Sequence, residues 1–262
     1  MNETANKYLE VTEVAGDLVS QEQVNRLISR YSWAVKESKY KDIVEVACGT
    51  GPGLEVLSKV SKSFVAGDIS EKLVSKVRNI YGKKISIKIF DATKLPFKNN
   101  SKDIIIIFEA LYYLKNIEVF FTECKRVLRK GGSILIVTAN KDVDGFNPSP
   151  YSHKYYSVPE LKKKLYDQGF FTYFYGYCSI LNISIYQRLF GPIKKIAIKF
   201  KLIPKTMKGK QFLKRIVFGK LVKFPDKLFF NDIENFSNHL TPISKNKINR
   251  IHKVIYCKAI KK

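Results

Sequence analysis

The sequence predicts an α/β protein with a doubly wound, mostly parallel sheet of seven strands. Two observations carry this prediction: short apolar segments alternate with segments of helical period along most of the chain, and glycines or polar turn residues separate them. This alternation is typical of a parallel sheet with helices on both faces. The 262 residues, 45% of them hydrophobic, are sufficient to bury the core of one large domain.

Seven segments predict strands, because each is short, apolar and bounded by turn residues. In chain order they are Asp42–Ala47, Ser63–Ala66, Ile85–Phe90, Asp103–Phe108, Ser133–Thr138, Phe170–Tyr175 and Ile251–Ile260. The unbroken isoleucine run in the fourth segment predicts a strand that is buried on both faces. We expect the last segment to be the antiparallel strand of the sheet.

Segments of helical period connect these strands. Residues 1–40 predict an N-terminal helical segment, in which Val24, Leu27, Ile28 and Tyr31 follow helical spacing. The further predicted helices are Leu54–Val60, Glu71–Tyr81, Ile117–Leu128 and Val158–Gln168. Glycines end the last two of these helices.

The regular alternation of predicted strands and helices stops between residues 180 and 250. We interpret 180–250 as a basic helical insertion into one domain formed by 41–179 and 251–262. Residues Arg188–Lys223 contain twelve lysines and arginines and no acid, and two apolar stripes at helical spacing run through them. Such basic amphipathic helices bind anionic membranes or phosphates. The alternative is a pair of helices packed on the sheet with solvated lysines.

Charge and cysteine content limit which partners and which cellular location we expect for the protein. Lysine and arginine number 47 against 23 acids, a net charge of +24, which predicts an anionic partner without choosing among membrane, nucleic acid and phosphorylated substrate. The sequence has no apolar run of about 20 residues and no signal-like N-terminus. Its four scattered cysteines predict reduced thiols and no metal site. We therefore expect a cytoplasmic protein, with peripheral contact to the inner membrane face through 188–223.

The most informative stretch leads from the first predicted strand into a glycine-rich turn, Gly49–Gly53, and then a helix. Glycines allow a ligand to approach the backbone closely, and a helix N-terminus offers free N–H groups. A dinucleotide-binding GxGxxG turn would need glycine at position 54, which is Leu54. Glu45, just before the turn, would repel a pyrophosphate and instead suits a cationic, amino-acid-like ligand.

Glu45, Ala47, Gly49 and Gly51 together resemble motif I of the class I S-adenosylmethionine-dependent methyltransferases, of the methyltransferase type 11 kind. The resemblance covers roughly residues 40–140 and implies a Rossmann-like methyltransferase fold, methyltransferase activity and S-adenosylmethionine as cofactor. It implies that Asp68, followed by Ile69, binds both ribose hydroxyls. It further implies that Asp91 and Ala92 hold the adenine and that Phe108 lies at the floor of the methyl site.

The acceptor side is predicted from the loops that follow the strands, because ligands bind at the carboxyl ends of parallel strands. His153 is the candidate general base, with a solvent-exposed loop histidine as the alternative. Tyr112, Tyr113 and Tyr155 are candidates for the acceptor wall, with core packing as the alternative. Tyr31 is a candidate lid residue over the cofactor, although core burial explains it more simply.

The acceptor class rests on a weaker resemblance, to methyltransferases of bacterial surface-polysaccharide pathways. That resemblance involves residues 147–156 and 202–215 and implies a small-molecule or saccharide acceptor. Methylation of RNA is one alternative, and the pattern disfavours it because the cations are concentrated in amphipathic segments and not beside stacking aromatics. A non-catalytic, cofactor-binding subunit is the other alternative.

Overall fold

The computed structural model describes residues 12–182 and 220–262. Within these ranges the strands are β1 (Leu18–Ser20), β2 (Asp42–Val46), β3 (Ser63–Asp68), β4 (Ser86–Ile89), β5 (Lys102–Phe108), β6 (Leu128–Ala139), β7 (Phe170–Ser179), β8 (Leu221–Lys223), β9 (Thr241–Pro242) and β10 (His252–Lys261). The helices are α1 (Gln21–Ser38), α2 (Leu54–Val60), α3 (Glu71–Tyr81), α4 (Ile117–Val127), α5 (Val158–Asp167) and α6 (Phe230–Glu234).

The central sheet has the order β4-β3-β2-β5-β6-β10-β7-β9. Strands β2 to β6 pair in parallel, and β10 lies antiparallel between β6 and β7. The predicted doubly wound, mostly parallel sheet and its antiparallel last strand are therefore confirmed. The two-residue strand β9 adds an eighth member at the edge, next to β7. Its pairing depends on a distant segment, so local periodicity does not indicate it.

The isoleucine run of β5 divides its side chains between two core layers. Ile104 and Ile106 belong to the apolar cluster that contains buried residues of α1, α2 and α3. Ile105 and Ile107 belong to the cluster that contains buried residues of α4 and α5. Successive side chains of a strand point to opposite faces, and all four isoleucines are buried. The predicted burial of this strand on both faces is confirmed.

Helix α1 is positioned by a defined start. Ser20 is its N-cap and accepts a hydrogen bond from the Gln23 backbone N–H, while the Gln23 side chain accepts from the Ser20 backbone N–H. This reciprocal capping satisfies backbone donors that the first helical turn leaves free. One face of the helix, including Leu27 and Tyr31, then packs into the core. The cap therefore sets which α1 side chains face the carboxyl edge of the sheet.

Three predicted boundaries need correction. The segment before α1 is not entirely helical, because β1 pairs antiparallel with β8. Strand β6 begins at Leu128, directly after α4, because Lys102 pairs with Leu128 across a register shift. The described parts of the predicted helical insertion are 180–182 and 220–250, and they contain a single 3₁₀ turn at Ile180–Asn182, two short strands and the five-residue helix α6. Residues 188–219 of the basic segment lie outside the described residues.

Two chain segments cover the glycine turn between β2 and α2. The Thr50 hydroxyl donates to the carbonyl of Glu13 at 3.0 Å. From the other segment, the Leu228 N–H donates to the carbonyl of Pro52 at 2.7 Å. The β1–β8 pair joins these segments, so residues 12–20 and 221–228 form one cover. Among the helices of the described ranges, none is long and apolar enough to cross a membrane.

Candidate active site

A cavity of about 1010 Å³ opens at the carboxyl ends of the parallel strands. It is lined by eight of the nine residues that the sequence resemblance assigns to the cofactor: Glu45, Ala47, Gly49, Asp68, Ile69, Asp91, Ala92 and Phe108. The ninth, Gly51, lies beneath the lining, where its carbonyl accepts a hydrogen bond from the Tyr81 hydroxyl at 2.7 Å. The fold thus brings together residues that are 63 positions apart in the sequence.

The glycine turn has a backbone that few residue types adopt. Ala47, Gly49 and Gly51 have φ angles of +52°, +57° and +68°. Glycine takes this conformation without a steric penalty, whereas alanine is strained there. In this conformation the Gly49 N–H donates to Asp68, while the Gly51 N–H donates to the Cys48 carbonyl within the turn. The turn therefore supplies the close backbone approach that the sequence predicts.

Asp68 ends β3 and connects two backbone segments at the cavity. Its Oδ2 accepts from the Gly49 N–H at 3.0 Å, and its Oδ1 accepts from the Ser70 N–H at 2.9 Å. The side chain is buried, and burial raises its pKa while the backbone hydrogen bonds oppose that rise. The carboxylate therefore holds the glycine turn against the start of α3 and still faces the cavity. Ile69 next to it is partly exposed to the cavity.

Glu45 is a buried acid with one unused oxygen. Its Oε1 accepts from the Tyr31 hydroxyl at 2.7 Å, while its Oε2 has no hydrogen-bond donor among the described residues. The Tyr31 ring is buried against Phe108, with 5.5 Å between ring centres. Tyr31 is thus a core residue that lines the cavity and orients Glu45. This favours core burial of Tyr31 over a role as a lid residue. Burial raises the pKa of Glu45 to about 7.

This raised pKa predicts a pH-dependent stability. The native protein keeps a proton on Glu45 between about pH 4.5 and 7, whereas the unfolded chain loses it near 4.5. The free energy of unfolding should therefore fall as the pH rises through this window, by about 3 kcal/mol from this group. The Glu45→Gln variant should lack this contribution. Urea unfolding of both proteins at about pH 5 and about pH 8 measures the difference, and equal pH dependence in the two would contradict it.

The turn after β4 lines the part of the cavity where the sequence resemblance predicts the adenine. Asp91 accepts hydrogen bonds from the backbone N–H and the hydroxyl of Thr93, at 2.7 and 2.8 Å, both on Oδ1. These bonds orient the carboxylate at the exposed mouth of the cavity. Ala92 beside it is buried. Gly67 lies directly below the Phe90 ring, since a Cβ there would be 2.1 Å from a ring carbon.

Three tyrosines, Tyr112, Tyr113 and Tyr155, form a tyrosine wall on the side of the cavity where the sequence predicts the acceptor. Tyr112 and Tyr113 line the cavity, and Tyr155 stacks behind Tyr112 with 4.3 Å between ring centres. Tyr155 is thus one layer further back than the sequence interpretation placed it. The Tyr113 hydroxyl is 2.5 Å from Ser149 Oγ. His153 lines the exposed rim, where its backbone N–H donates to the Tyr112 carbonyl at 2.8 Å.

Sequence reasoning missed several charged residues of this cavity: Glu13, Arg26, Arg30 and Glu109. Glu109 could have been found, because it directly follows the isoleucine-rich strand at its carboxyl end. The two arginines could not, since a polar position on an amphipathic helix is usually solvated. Only the packing of α1 across the carboxyl edge of the sheet places them at the cavity.

The lining fits S-adenosylmethionine. The free oxygen of Glu45 is a buried acceptor that an ammonium group would satisfy, and an acid suits a cationic ligand better than a phosphate. The carboxylate of Asp68 offers two acceptor oxygens, which suit a diol. The backbone at Gly49 leaves room, since an added Cβ meets nothing closer than 3.4 Å. These residues would hold the amino-acid end and the ribose of the cofactor.

Comparison with known proteins finds methyltransferases. Residues 44–136 match the family model described as a methyltransferase domain. A probable S-adenosylmethionine-dependent methyltransferase of Mycobacterium tuberculosis is 29% identical over 136 residues, covering 50% of this chain and 48% of that protein. The chain thus spans about half the length of this relative. A ubiquinone biosynthesis O-methyltransferase of Rhizobium etli is 26% identical over 102 residues, covering 38% of this chain and 41% of that protein.

The fold has solved counterparts as well. The YcgJ protein of Bacillus subtilis aligns with a TM-score of 0.56 at 15% identity, over 89% of this chain and 98% of that chain. At this identity the likeness concerns the fold alone, and it agrees with a Rossmann-like sheet. The matched family model and the named relatives agree with the predicted resemblance to S-adenosylmethionine-dependent methyltransferases and with S-adenosylmethionine as the cofactor. Residues 44–136 thus match a methyltransferase domain, and about half of the chain is similar to S-adenosylmethionine-dependent methyltransferases.

Proposed function

We propose that the protein transfers the methyl group of S-adenosylmethionine to a small-molecule or saccharide acceptor. The single observation that carries this proposal is the shape of the cavity, which runs from the glycine turn to the tyrosine wall. Its volume of about 1010 Å³ accommodates a cofactor together with a small acceptor. The relative named for O-methyl transfer in ubiquinone biosynthesis supports a small acceptor as well.

S-adenosylmethionine supplies an electrophilic methyl group on a positively charged sulfur. The chain's own residues would then align two molecules and exclude water. Glu45 would hold the amino-acid end of the cofactor and Asp68 its ribose, and Phe108 would form the floor beside the methyl group. The cover formed by residues 12–20 and 221–228 shields the glycine turn from solvent.

The tyrosine wall supports a ring-shaped acceptor. Tyr112 is fixed between Tyr155, which stacks on it, and Tyr113, whose ring centre is 4.6 Å away. A rigid aromatic surface suits the apolar face of a sugar or a planar ring. A role in surface-polysaccharide synthesis follows from the sequence resemblance and is part of this proposal. Contact with an anionic membrane through 188–223 stays a prediction.

Transfer of labelled methyl groups tests the proposal. The protein is incubated with S-adenosylmethionine labelled on the methyl carbon and with three cell fractions: aqueous small molecules, glycolipids and RNA. We expect label in the small-molecule or glycolipid fraction and none with the Asp68→Ala variant. Label in RNA alone would favour the nucleic-acid alternative. Absence of label from every fraction would favour a non-catalytic, cofactor-binding subunit.

A further inference from the structure

Glu109 has a backbone conformation that is uncommon for its residue type. It directly follows β5, and its φ angle is +50°. A non-glycine residue in this region is strained by about 1–3 kcal/mol and persists only where its surroundings fix it. Here the Glu109 N–H donates to the carbonyl of Val137 at 2.8 Å, which anchors the strained backbone to β6. Glycine or asparagine adopts this conformation more readily, so the backbone conformation alone does not explain a glutamate here.

The strained backbone directs this carboxylate into the acceptor half of the cavity. Its Oε2 accepts a hydrogen bond from the Tyr112 hydroxyl at 3.3 Å. Tyr112 is the hydrogen-bond donor to this carboxylate among the described residues, and Glu109 itself lines the cavity. Tyr112 belongs to the tyrosine wall, so Glu109 lies beside the surface where a ring-shaped acceptor would stack.

Charged and titratable groups face Glu109 from several elements. They are Arg26 and Arg30 of α1, Glu13 of the N-terminal cover, Tyr112, Tyr155 and Tyr256. Arg26 pairs with Glu22, whereas the buried Nε of Arg30 has no hydrogen-bond partner among the described residues and the Arg30 guanidinium lies over the Tyr31 ring. Burial raises the pKa of Glu109, and the two arginines oppose that rise. Glu109 is therefore a better proton acceptor than a solvated glutamate, and Arg30 favours its ionised form.

We propose that Glu109 is a catalytic residue, the general base that takes the proton from an acceptor hydroxyl during methyl transfer; this rests on the proposed function. The hydroxyl oxygen forms a bond to the methyl carbon. The bond between that carbon and the sulfonium sulfur breaks, and its electron pair goes to sulfur. The hydroxyl proton passes to Oε1 of Glu109, which leaves a neutral carboxyl group, a methyl ether and S-adenosylhomocysteine.

Two observations favour a hydroxyl acceptor and this base. Arg30 and Arg26 line the same cavity, so their positive charges would repel an ammonium group there, whereas they would not repel a neutral hydroxyl. His153, the base suggested by the sequence, is exposed at the rim of the cavity. A proton acceptor must lie within hydrogen-bond reach of the reacting group, and the half-buried carboxylate beside the tyrosine wall meets this condition better.

The test compares Glu109→Gln with wild type in the fraction that the labelled-methyl experiment identifies. Glutamine keeps the size and the hydrogen bond from Tyr112 but accepts no proton. We expect the transfer rate to fall about 100-fold or more, as for removal of a general base, while the affinity for S-adenosylhomocysteine measured by calorimetry stays within about twofold. Glu109→Asp should retain more activity than Glu109→Gln. The matched control is Glu118→Gln, an acid of α4 that pairs with Lys164 away from the cavity.

The pH profile identifies the base. The wild-type rate should rise with pH as one group ionises, and the residual rate of Glu109→Gln should lack that rise. A Glu109→Gln rate within about threefold of wild type, or the same pH profile in both, overturns the inference. Loss of the rise in His153→Gln with Glu109→Gln unaffected also overturns it and assigns the proton to His153. If the wild type labels no fraction, the proposed function itself fails and this inference fails with it.

Discussion

The Asp68→Ala variant is expected to bind S-adenosylhomocysteine at least about 100-fold more weakly than the wild type, because hydrogen bonds to a charged acceptor contribute about 1.5–3 kcal/mol each. In the proposed site both ribose hydroxyls donate hydrogen bonds to this carboxylate. The Gly49 and Ser70 N–H groups also donate to it, and they lose their acceptor in the variant. Calorimetric titration measures the change in affinity.

Two further variants separate this effect from general damage. Asp68→Asn keeps the shape and one acceptor oxygen, so we expect a loss intermediate between the wild type and Asp68→Ala. Asp167→Ala removes an exposed acid that pairs with Lys163 on α5, and its affinity should equal that of the wild type. An Asp68→Ala affinity within about threefold of wild type would contradict the assigned ribose site.

The Gly53→Ala variant is expected to lose about 3 kcal/mol of stability, since a Cβ at this position would be 2.2 Å from a ring carbon of Tyr31. The backbone of Gly53, with φ −104° and ψ 6°, is accessible to alanine, so the cost is steric. The displaced ring would also lose its hydrogen bond to Glu45. For a chain of this size the melting temperature should fall by roughly 6–12 °C, and thermal unfolding measures this.

A double-mutant cycle shows whether the ring is responsible. In a Tyr31→Ala background the added methyl group has no ring to meet, so Gly53→Ala should then cost less than about 0.5 kcal/mol. An equal loss in both backgrounds would show that the close approach of Gly53 and Tyr31 is not what excludes a side chain at this position.

The cofactor half of the site could be predicted from the sequence because its determinants are local. Gly49 and Gly51 follow β2, and Asp68 ends β3. Both strands are recognisable in the sequence by their apolar composition, and one strand–turn–helix unit sets the spacing of the glycines. Parallel pairing of β2 and β3 then brings the ends of both strands to one edge. The burial of β5 on both faces of the sheet could also be predicted, because a run of isoleucines has no polar face to expose to solvent.

The acceptor half could be predicted only in part, because it depends on packing between distant segments. Arg30 reaches the cavity only because α1 lies across the sheet, and the strain at Glu109 is a property of the backbone that no sequence pattern reveals. The β1–β8 pair joins segments about 200 residues apart, too short for their periodicity to indicate strands. Tyr155 is of the residue type expected in the acceptor wall, but it stacks behind Tyr112.

The central claim is that the cavity at the carboxyl ends of β2, β3 and β5 binds the S-adenosyl cofactor. Calorimetric titration of the wild-type protein with S-adenosylhomocysteine, alongside a titration with a nicotinamide dinucleotide, tests it most directly. The account predicts saturable binding of one S-adenosylhomocysteine per chain and no heat from the dinucleotide. Saturable binding of the dinucleotide, with none of S-adenosylhomocysteine, would contradict it.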